Sequence, residues 1–205
     1  MMIDDEYLTI QKVQTAELKV KGSRFIGTAS PVATEDAATE FIQRVARQYY
    51  AATHHCYAYH IGVPPEVCFR MSDAGEPTGT AGLPILNVIK GKGLTDIVVV
   101  VSRYFGGTKL GKGGLARAYA DCTLLVLQQS PIIKKYMMQQ LQLTFDYQLT
   151  NRVMGAISLF QATINQSTYG QEAQLVIALR KSQIDKLKQH LIEVTAGKIS
   201  IQSNG

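Results

Sequence analysis

The hydrophobic pattern of the first two thirds of the chain predicts strands and helices in alternation. Residues 17–32 alternate weakly around a Lys-Gly-Ser turn, which predicts two short strands. Apolar residues at helical spacing then predict a helix that Thr34 caps and that ends near Gln48. The β-branched run 96–102 is typical of a strand that is covered on both faces.

The same pattern predicts the remaining elements of this part. Strands at 56–61 and 67–71 should form a hairpin, because two prolines separate them. A short helix is expected around residues 85–89, and a long helix from residue 115 to about 129, where Pro131 ends it.

The last third of the chain follows a different order: strand, helix, strand, strand, helix, strand. Alternation over residues 141–145 predicts the first strand, and residues 149–161 predict a helix capped by Thr150 or Asn151. Ser182 is expected to cap the second helix. This order is typical of the split-βαβ, ferredoxin-like arrangement.

Length and composition add the domain count and the compartment. A chain of 205 residues accommodates two modest domains, and we expect them at residues 1–135 and 137–205. The longest apolar run, 97–101, is far too short to span a membrane. The first residues lack the features of a secretory signal, and three cysteines cannot all pair. We therefore expect a soluble, cytoplasmic protein with no membrane partner.

Basic side chains are concentrated in the middle of the chain. Residues 86–117 carry an excess of positive charge equal to that of the whole chain, +5, with Asp96 as the only acidic residue. The basic residues of this stretch are Lys90, Lys92, Arg103, Lys109, Lys112 and Arg117. Such a stretch attracts an anionic partner, although a solvated loop would have the same composition.

Two glycine-rich stretches, residues 75–82 and 106–114, both run into predicted helices. Helix N-termini offer free N–H groups and a partial positive charge, so we favour an anion site over the alternative that the glycines only close tight turns. The candidate binding residues are Gly79, Thr80, Gly82, Arg103, Tyr104, Phe105, Gly106, Gly107, Lys109, Gly111, Lys112, Gly113, Gly114 and Arg117.

Two nucleotide-binding motifs are nearly present in the second stretch. The phosphate-loop pattern that starts at Gly106 has Gly113 where the hydroxyl that holds Mg²⁺ should stand. The dinucleotide pattern that starts at Gly111 lacks an acidic residue about 20 positions onward. We therefore expect no cofactor.

A histidine-rich strand and an acidic loop are the other candidates for chemistry. On a strand, His54, Cys56 and His60 share one face, but their spacing matches no standard zinc site, so we expect no metal. Asp73 and Glu76, with His55, are candidate acid and base groups of an enzyme. In the alternative, Asp73 binds loop N–H groups and Glu76 caps the following helix.

Two ordered motifs resemble the signature of the IMPACT/YigZ family. Residues 73–84 read Asp-x-Gly-Glu-Pro-x-Gly-Thr-Ala-Gly-x-Pro. Residues 101–119 read Val-Ser-Arg-Tyr-Phe-Gly-Gly-x-x-Leu-Gly-x-Gly-Gly-Leu-x-Arg-Ala-Tyr. The resemblance covers residues 15–135 as the IMPACT N-terminal-type domain and 137–205 as the small C-terminal domain of the bacterial members.

The resemblance implies an α+β architecture. The first domain is expected to have the ribosomal protein S5 domain 2-like fold, and the second a ferredoxin-like fold similar to the last domain of translation elongation factor G. Eukaryotic members regulate translation through protein–protein binding, and the fold similarity implies RNA or ribosome binding for bacterial members.

Three functions are compatible with these residues, and we favour the first. The first is a non-catalytic, translation-associated regulatory protein that binds RNA or the ribosome through the Gly-rich basic surface, with Tyr104 and Phe105 stacking on bases. The second is an enzyme that acts on a phosphorylated small molecule or nucleotide through Asp73, Glu76 or His55. The third is a module that binds a regulatory protein partner.

Overall fold

The computed structural model describes residues 5–204 and shows a mixed α/β architecture in two units. The larger unit comprises residues 7–135, and the smaller unit comprises residues 136–204 together with Asp5 and Glu6. Residues 1–4, on which the expectation about a secretory signal partly rests, lie outside the described residues, as does Gly205. Within the described part, no helix is both long and apolar enough to cross a bilayer.

The larger unit is built on a five-stranded antiparallel sheet with the strand order β2-β3-β6-β4-β5. A separate two-stranded sheet pairs β1 with β7. The elements are β1 (Glu6–Ile10), β2 (Gln14–Val20), β3 (Ser23–Pro31), α1 (Glu35–Gln48), β4 (His54–Val63), β5 (Glu66–Ser72), α2 (Gly82–Gly91), β6 (Ile97–Tyr104), α3 (Gly111–Gln128) and β7 (Ile132–Tyr136).

Helices cover both faces of this sheet, so its central strand is buried on both sides. Side chains of β6 alternate between the faces: Val98 and Val100 pack in the cluster of α1, whereas Val99 and Val101 pack in the cluster of α2 and α3. This confirms the prediction made from the β-branched run. A strand whose two faces are both covered has apolar side chains on both faces, so its sequence is a continuous apolar run instead of an alternation of apolar and polar residues.

The predicted local signals of the larger unit are also confirmed. The Thr34 hydroxyl accepts a hydrogen bond from the Ala37 N–H at 3.2 Å and so caps α1. The β4–β5 hairpin turns at Pro64 and Pro65, as the two prolines predict.

The smaller unit places two helices on a four-stranded antiparallel sheet with the strand order β11-β8-β10-β9. Its core is formed by Leu141, Leu143, Ile177, Leu187 and Leu191, with their apolar neighbours. The elements are β8 (Met138–Phe145), α4 (Thr150–Leu159), β9 (Thr163–Tyr169), β10 (Ala173–Arg180), α5 (Ile184–Thr195) and β11 (Ile199–Asn204).

The predicted helix caps of the smaller unit are wrong. A 3-10 turn precedes α4, and Asp146 caps that turn by accepting a hydrogen bond from the Gln148 N–H at 2.8 Å. The Thr150 hydroxyl instead donates to the Tyr147 carbonyl. Ser182 does not cap α5, because its N–H and its hydroxyl both donate to the Asp5 carboxylate. Ser182 therefore binds Asp5, which is distant in sequence, instead of the N–H groups at the start of α5.

Candidate functional site

The loop between β5 and α2 is organised by the carboxylate of Asp73. One oxygen accepts hydrogen bonds from the N–H groups of Ala81 and Gly82, and the other accepts from Gly79, each at 2.9 Å. Burial alone would raise the pKa of Asp73, but these three hydrogen bonds outweigh it and hold the pKa below its ordinary value. The first glycine-rich stretch thus already binds an anion, the carboxylate of the protein itself.

Thr80, in the same loop, is also engaged internally. Its side chain is buried, and its hydroxyl donates to the Pro77 carbonyl at 2.6 Å. The N–H groups at the start of α2 are therefore paired inside the protein, as the alternative interpretation of Asp73 expects.

Glu76 and Arg103 form a buried ion pair between the two glycine-rich stretches. The Arg103 Nη1 lies 2.6 Å from the Glu76 Oε1, and both side chains are almost fully buried. Tyr119 of α3 donates its hydroxyl to the same Glu76 oxygen at 2.8 Å. Glu76 therefore does not cap α2, and its charge holds the guanidinium of Arg103 in place.

Three further contacts surround this ion pair. The Arg103 Nη2 donates to the hydroxyl of Ser23 at 3.3 Å. The Cys56 thiol lies 3.3 Å from the Tyr119 hydroxyl and 2.9 Å from the Asp73 carbonyl oxygen. We call the set of Cys56, Glu76, Arg103 and Tyr119, with Ser23, the buried network.

Two groups of the buried network, the Cys56 thiol and the Tyr119 hydroxyl, are held in their neutral forms by burial. Burial raises the pKa of the Cys56 thiol to about 12, and burial also raises the pKa of the Tyr119 hydroxyl. Neither side chain is therefore ionised near neutral pH, and a thiol in its neutral form is a poor nucleophile.

The predicted histidine strand has the expected faces, but each imidazole has a partner within the protein. The Nδ1 atoms of His54 and His60 lie 2.9 Å and 3.1 Å from the carbonyl oxygens of Ala74 and Leu94. On the other face, the Nδ1 atom of His55 lies 2.9 Å from the Ser102 hydroxyl, and burial lowers the pKa of His55. Among residues 5–204, no three His, Cys, Asp or Glu side chains gather as metal ligands would.

A cavity of about 300 Å³ lies beside the buried network at the start of α3. Its walls come from both glycine-rich stretches and combine apolar side chains with two lysines at the rim. The lining residues are Glu76, Pro77, Arg103, Phe105, Lys109, Leu110, Gly111, Lys112 and Leu115. The cavity brings together five of the residues predicted to bind an anion: Arg103, Phe105, Lys109, Gly111 and Lys112.

The N-terminus of α3 opens at this cavity. Leu110 occupies the position before the helix, and no side chain caps the first turn. Lys109 and Lys112 are exposed, and neither forms an ion pair with any residue in 5–204. Nε of Arg103 is buried and has no hydrogen-bond partner within the described chain. This end of the cavity is thus positive and rich in unused donors.

The remaining predicted residues have varied surroundings. Phe105 is 50% exposed, whereas the ring of Tyr104 carries the guanidinium of Arg24 at 4.6 Å. Arg117 is exposed on α3 and does not line the cavity. Open space surrounds Gly107 and Gly113, and Gly114 packs on Leu110.

Gly106 serves packing rather than ligand approach. A Cβ added there would lie 1.9 Å from the backbone of Gly22, so the β2–β3 turn presses against the β6–α3 loop at this point. The Gly106 N–H also donates to the Ser23 hydroxyl. Ser23, Cys56 and Tyr119 were not predicted to form one cluster. The signals for them in the sequence were separate: Cys56 on the histidine-rich strand and Tyr119 at the end of the second motif.

Comparison with known proteins identifies both parts of the chain. A sequence model of the Impact N-terminal domain matches residues 21–127. A second model, a domain of unknown function named DUF1949, matches residues 143–198. The two matches fall within the two units of the structure.

Similar proteins extend over nearly the whole chain. The chain is 34% identical over 196 residues to the IMPACT family member YvyE of Bacillus subtilis, which covers 96% of this chain and 90% of that protein. It is 30% identical over 184 residues to the IMPACT family member YigZ of Escherichia coli. This match covers 89% of this chain and 90% of that protein. A crystal structure of a hypothetical protein, 28% identical, superposes over 99% of both chains with a TM-score of 0.77.

Proposed function

The chain belongs to the IMPACT family, and from this membership and the cavity at α3 we propose that it is a non-catalytic regulatory protein of translation that binds RNA phosphate. The observation that carries the proposal is the uncapped start of α3, which lies at a cavity between two exposed lysines without ion-pair partners among residues 5–204. Free N–H groups and a helix dipole at this position favour an anion.

Single-stranded RNA fits this surface better than a free phosphate ion does. Lys109 and Lys112 supply point charges for the backbone, and the exposed ring of Phe105 supplies a face for a base. Tyr104 is a weaker stacking partner than expected, because Arg24 already occupies its ring. Arg103 is neutralised by Glu76, so the proposed contacts to phosphate come from the two lysines and the helix N-terminus.

The proposed site does not include the turn at residues 79–82, because Asp73 occupies its N–H groups. The enzymatic alternative receives less support from the same geometry. A general acid needs a raised pKa, whereas the hydrogen bonds around Asp73 lower it. The buried thiol of Cys56 and the buried hydroxyl of Tyr119 supply no ionised nucleophile near neutral pH.

We also propose a fold for each unit and a cytoplasmic location for the protein. We assign the larger unit to the ribosomal protein S5 domain 2-like fold and the smaller unit to the ferredoxin-like fold, with the main domain boundary near residue 136. The order βαββαβ and the sheet β11-β8-β10-β9 support the second assignment. The three free cysteines fit the reducing cytoplasm.

The salt dependence of RNA binding tests the proposal. Binding of a fluorescent oligouridylate is measured by anisotropy between about 50 and 200 mM salt. For the double variant Lys109→Ala, Lys112→Ala we expect weaker binding and a slope of log K against log salt that is smaller by about 1.4, since each lost contact to a single strand removes about 0.7.

A matched control removes the same charge elsewhere. Lys12 and Lys92 are exposed and do not line the cavity, so Lys12→Ala, Lys92→Ala should change the slope much less. Equal effects of the two double variants, or no salt-sensitive binding by the unmodified protein, would overturn the proposal.

A further inference from the structure

The outer edge of β5 has no partner strand among residues 5–204. β5 lies at the end of the five-stranded sheet and pairs only with β4. Its apolar residues are open to solvent: Phe69 is 51% exposed, Met71 44% and Val67 38%. An edge strand with free backbone groups and exposed apolar side chains is a template for pairing with another strand.

The two faces of β5 differ in chemistry. Val67, Phe69 and Met71 share the face of α2, where the Lys90 ammonium lies 3.9 Å from the Phe69 ring. Glu66, Cys68 and Arg70 share the opposite face, where Cys68 packs against the cluster of α1. One face thus offers apolar contacts, and the β5 residues of the other face carry one negative and one positive charge. Glu35 of α1 also lies on that face, where it interacts with Cys68 and Arg70.

We propose that a second copy of this chain pairs with β5 in antiparallel orientation, with the twofold axis at Cys68. In that register, each residue before Cys68 faces the residue that lies equally far after it in the partner. Glu66 faces the partner's Arg70, and Val67 faces the partner's Phe69. The twofold symmetry repeats both pairs, so the interface contains two ion pairs on one face and two apolar pairs on the other.

Neighbouring registers lack this match. A twofold axis at Phe69 places Cys68 opposite the partner's Arg70, and one at Val67 places Glu66 opposite the partner's Cys68. An axis between two residues would oppose side chains that point to different faces of the sheet. Only the register at Cys68 satisfies the charges and the apolar residues together.

Because β5 is complementary to itself, a second copy fits its edge better than an unrelated peptide does. The strand reads Glu-Val-Cys-Phe-Arg, so reversing it exchanges the signs of its end charges and aligns its apolar residues. Glu66 forms no ion pair with any residue in 5–204, and it remains available for a partner. No residue of β5 lines the cavity at α3, and the inference does not rest on the proposed function.

Charge reversal at the two ends of β5 tests the register. Sedimentation should give the unmodified protein the mass of a dimer of 22.5 kDa chains. Glu66→Arg and Arg70→Glu should each give monomers, because each change opposes like charges twice. The double variant Glu66→Arg, Arg70→Glu should restore the dimer, because it exchanges the partners of each ion pair.

A matched control makes the same charge change on α1. Glu40 is exposed, so Glu40→Arg should leave the dimer intact. A monomeric unmodified protein at about 0.1 mM, in the range where weak pairs with micromolar dissociation constants associate, would overturn the inference. A dimer that survives Arg70→Glu, or a double variant that stays monomeric, would overturn it as well.

The cysteine at the twofold axis gives a second measurement on the unmodified sequence. Opposed residues of antiparallel strands have Cα atoms about 4.5–5.5 Å apart, within the range of a disulfide. Diamide, which accepts two electrons and two protons, should therefore join Cys68 to the partner's Cys68. Cys56 and Cys122 are buried, so Cys68→Ser should abolish the cross-link. Absence of a Cys68-dependent covalent dimer would contradict the register.

Discussion

Asp73 shows how one side chain organises the loop that the first sequence motif encodes. Its three N–H partners would otherwise be left without acceptors at the start of α2. Asp73→Ala should therefore lower the free energy of unfolding by about 1–3 kcal/mol, because the buried N–H groups of Ala81 and Gly82 lose their acceptor, whereas water can accept from the exposed Gly79 N–H. Asp73→Asn should lower the free energy of unfolding less. Its amide oxygen still accepts from the N–H groups of Ala81 and Gly82, and only its NH₂ group, a donor, faces the Gly79 N–H without an acceptor. Urea unfolding at pH 7 measures both changes.

The effect of Asp73 should depend on pH in one direction. Its pKa in the folded protein lies below the value of about 3.9 that an unfolded chain gives. The stabilisation is thus complete well above that value and is lost as the pH falls through the folded pKa. The difference between the unmodified protein and Asp73→Ala should shrink from pH 7 toward pH 2. A difference that stays constant would show that the carboxylate charge does not contribute.

Residue identities alone did not predict the ionic partners in the site. The sequence places Glu76 and Arg103 in different motifs, 27 positions apart, and their contact arises because β6 brings Arg103 beneath the β5–α2 loop. Arg103 therefore counted toward the predicted basic surface, although it is 5% exposed and paired. A charge count along the chain does not distinguish a buried, neutralised arginine from a free one.

Contact between two loops determines which glycines of the second motif are irreplaceable. At Gly106 an added Cβ would overlap the backbone of Gly22, and backbone cannot move aside as a flexible side chain can. Gly106→Ala should therefore destabilise the protein by about 1–3 kcal/mol, as overpacking does. Gly113→Ala is the matched control, because open space surrounds Gly113 in the first turn of α3.

Gly113→Ala should leave the free energy of unfolding unchanged or raise it by up to about 1 kcal/mol, the difference in helix propensity between glycine and alanine. Thermal unfolding of the two variants, with RNA binding as a second measurement, distinguishes packing from ligand approach. Equal destabilisation by both changes would contradict the assignment of Gly106 to packing.

Elements with strong local signals were predictable from the sequence, and those that depend on distant partners were not. The α1 helix has an N-cap and an apolar stripe, and β6 has an unbroken β-branched run, so each is encoded within its own residues. β7 was not predicted, because its pairing partner β1 lies more than 120 residues earlier in the chain. The predicted caps of α4 and α5 were wrong because Thr150 and Ser182 donate their hydroxyls to other acceptors, the Tyr147 carbonyl and the Asp5 carboxylate.

The beginning of the described chain belongs to the unit that its end forms. The backbone carbonyl of Asp5 accepts from the Met137 N–H at 2.7 Å, and its carboxylate accepts from the N–H and hydroxyl of Ser182. Burial would raise the pKa of Asp5, yet the hydrogen bonds from Ser182 outweigh it and lower the pKa. A domain boundary drawn as a single cut along the sequence therefore separates Asp5 from the unit that holds its partners.

Replacing Asp5 should consequently weaken a unit that begins about 130 residues away in sequence. Asp5→Ala removes the acceptor for two donors of Ser182, so we expect a loss of about 1–3 kcal/mol in the smaller unit. Hydrogen exchange reports the two units separately, because core amides open with the stability of their own cooperative unit. Amides of β8 and α5 should exchange about 5–150 times faster, as that free energy implies, while those of β6 and α3 keep their rates. Equal acceleration in both units would show that the chain unfolds as one body, and that Asp5 stabilises the whole molecule.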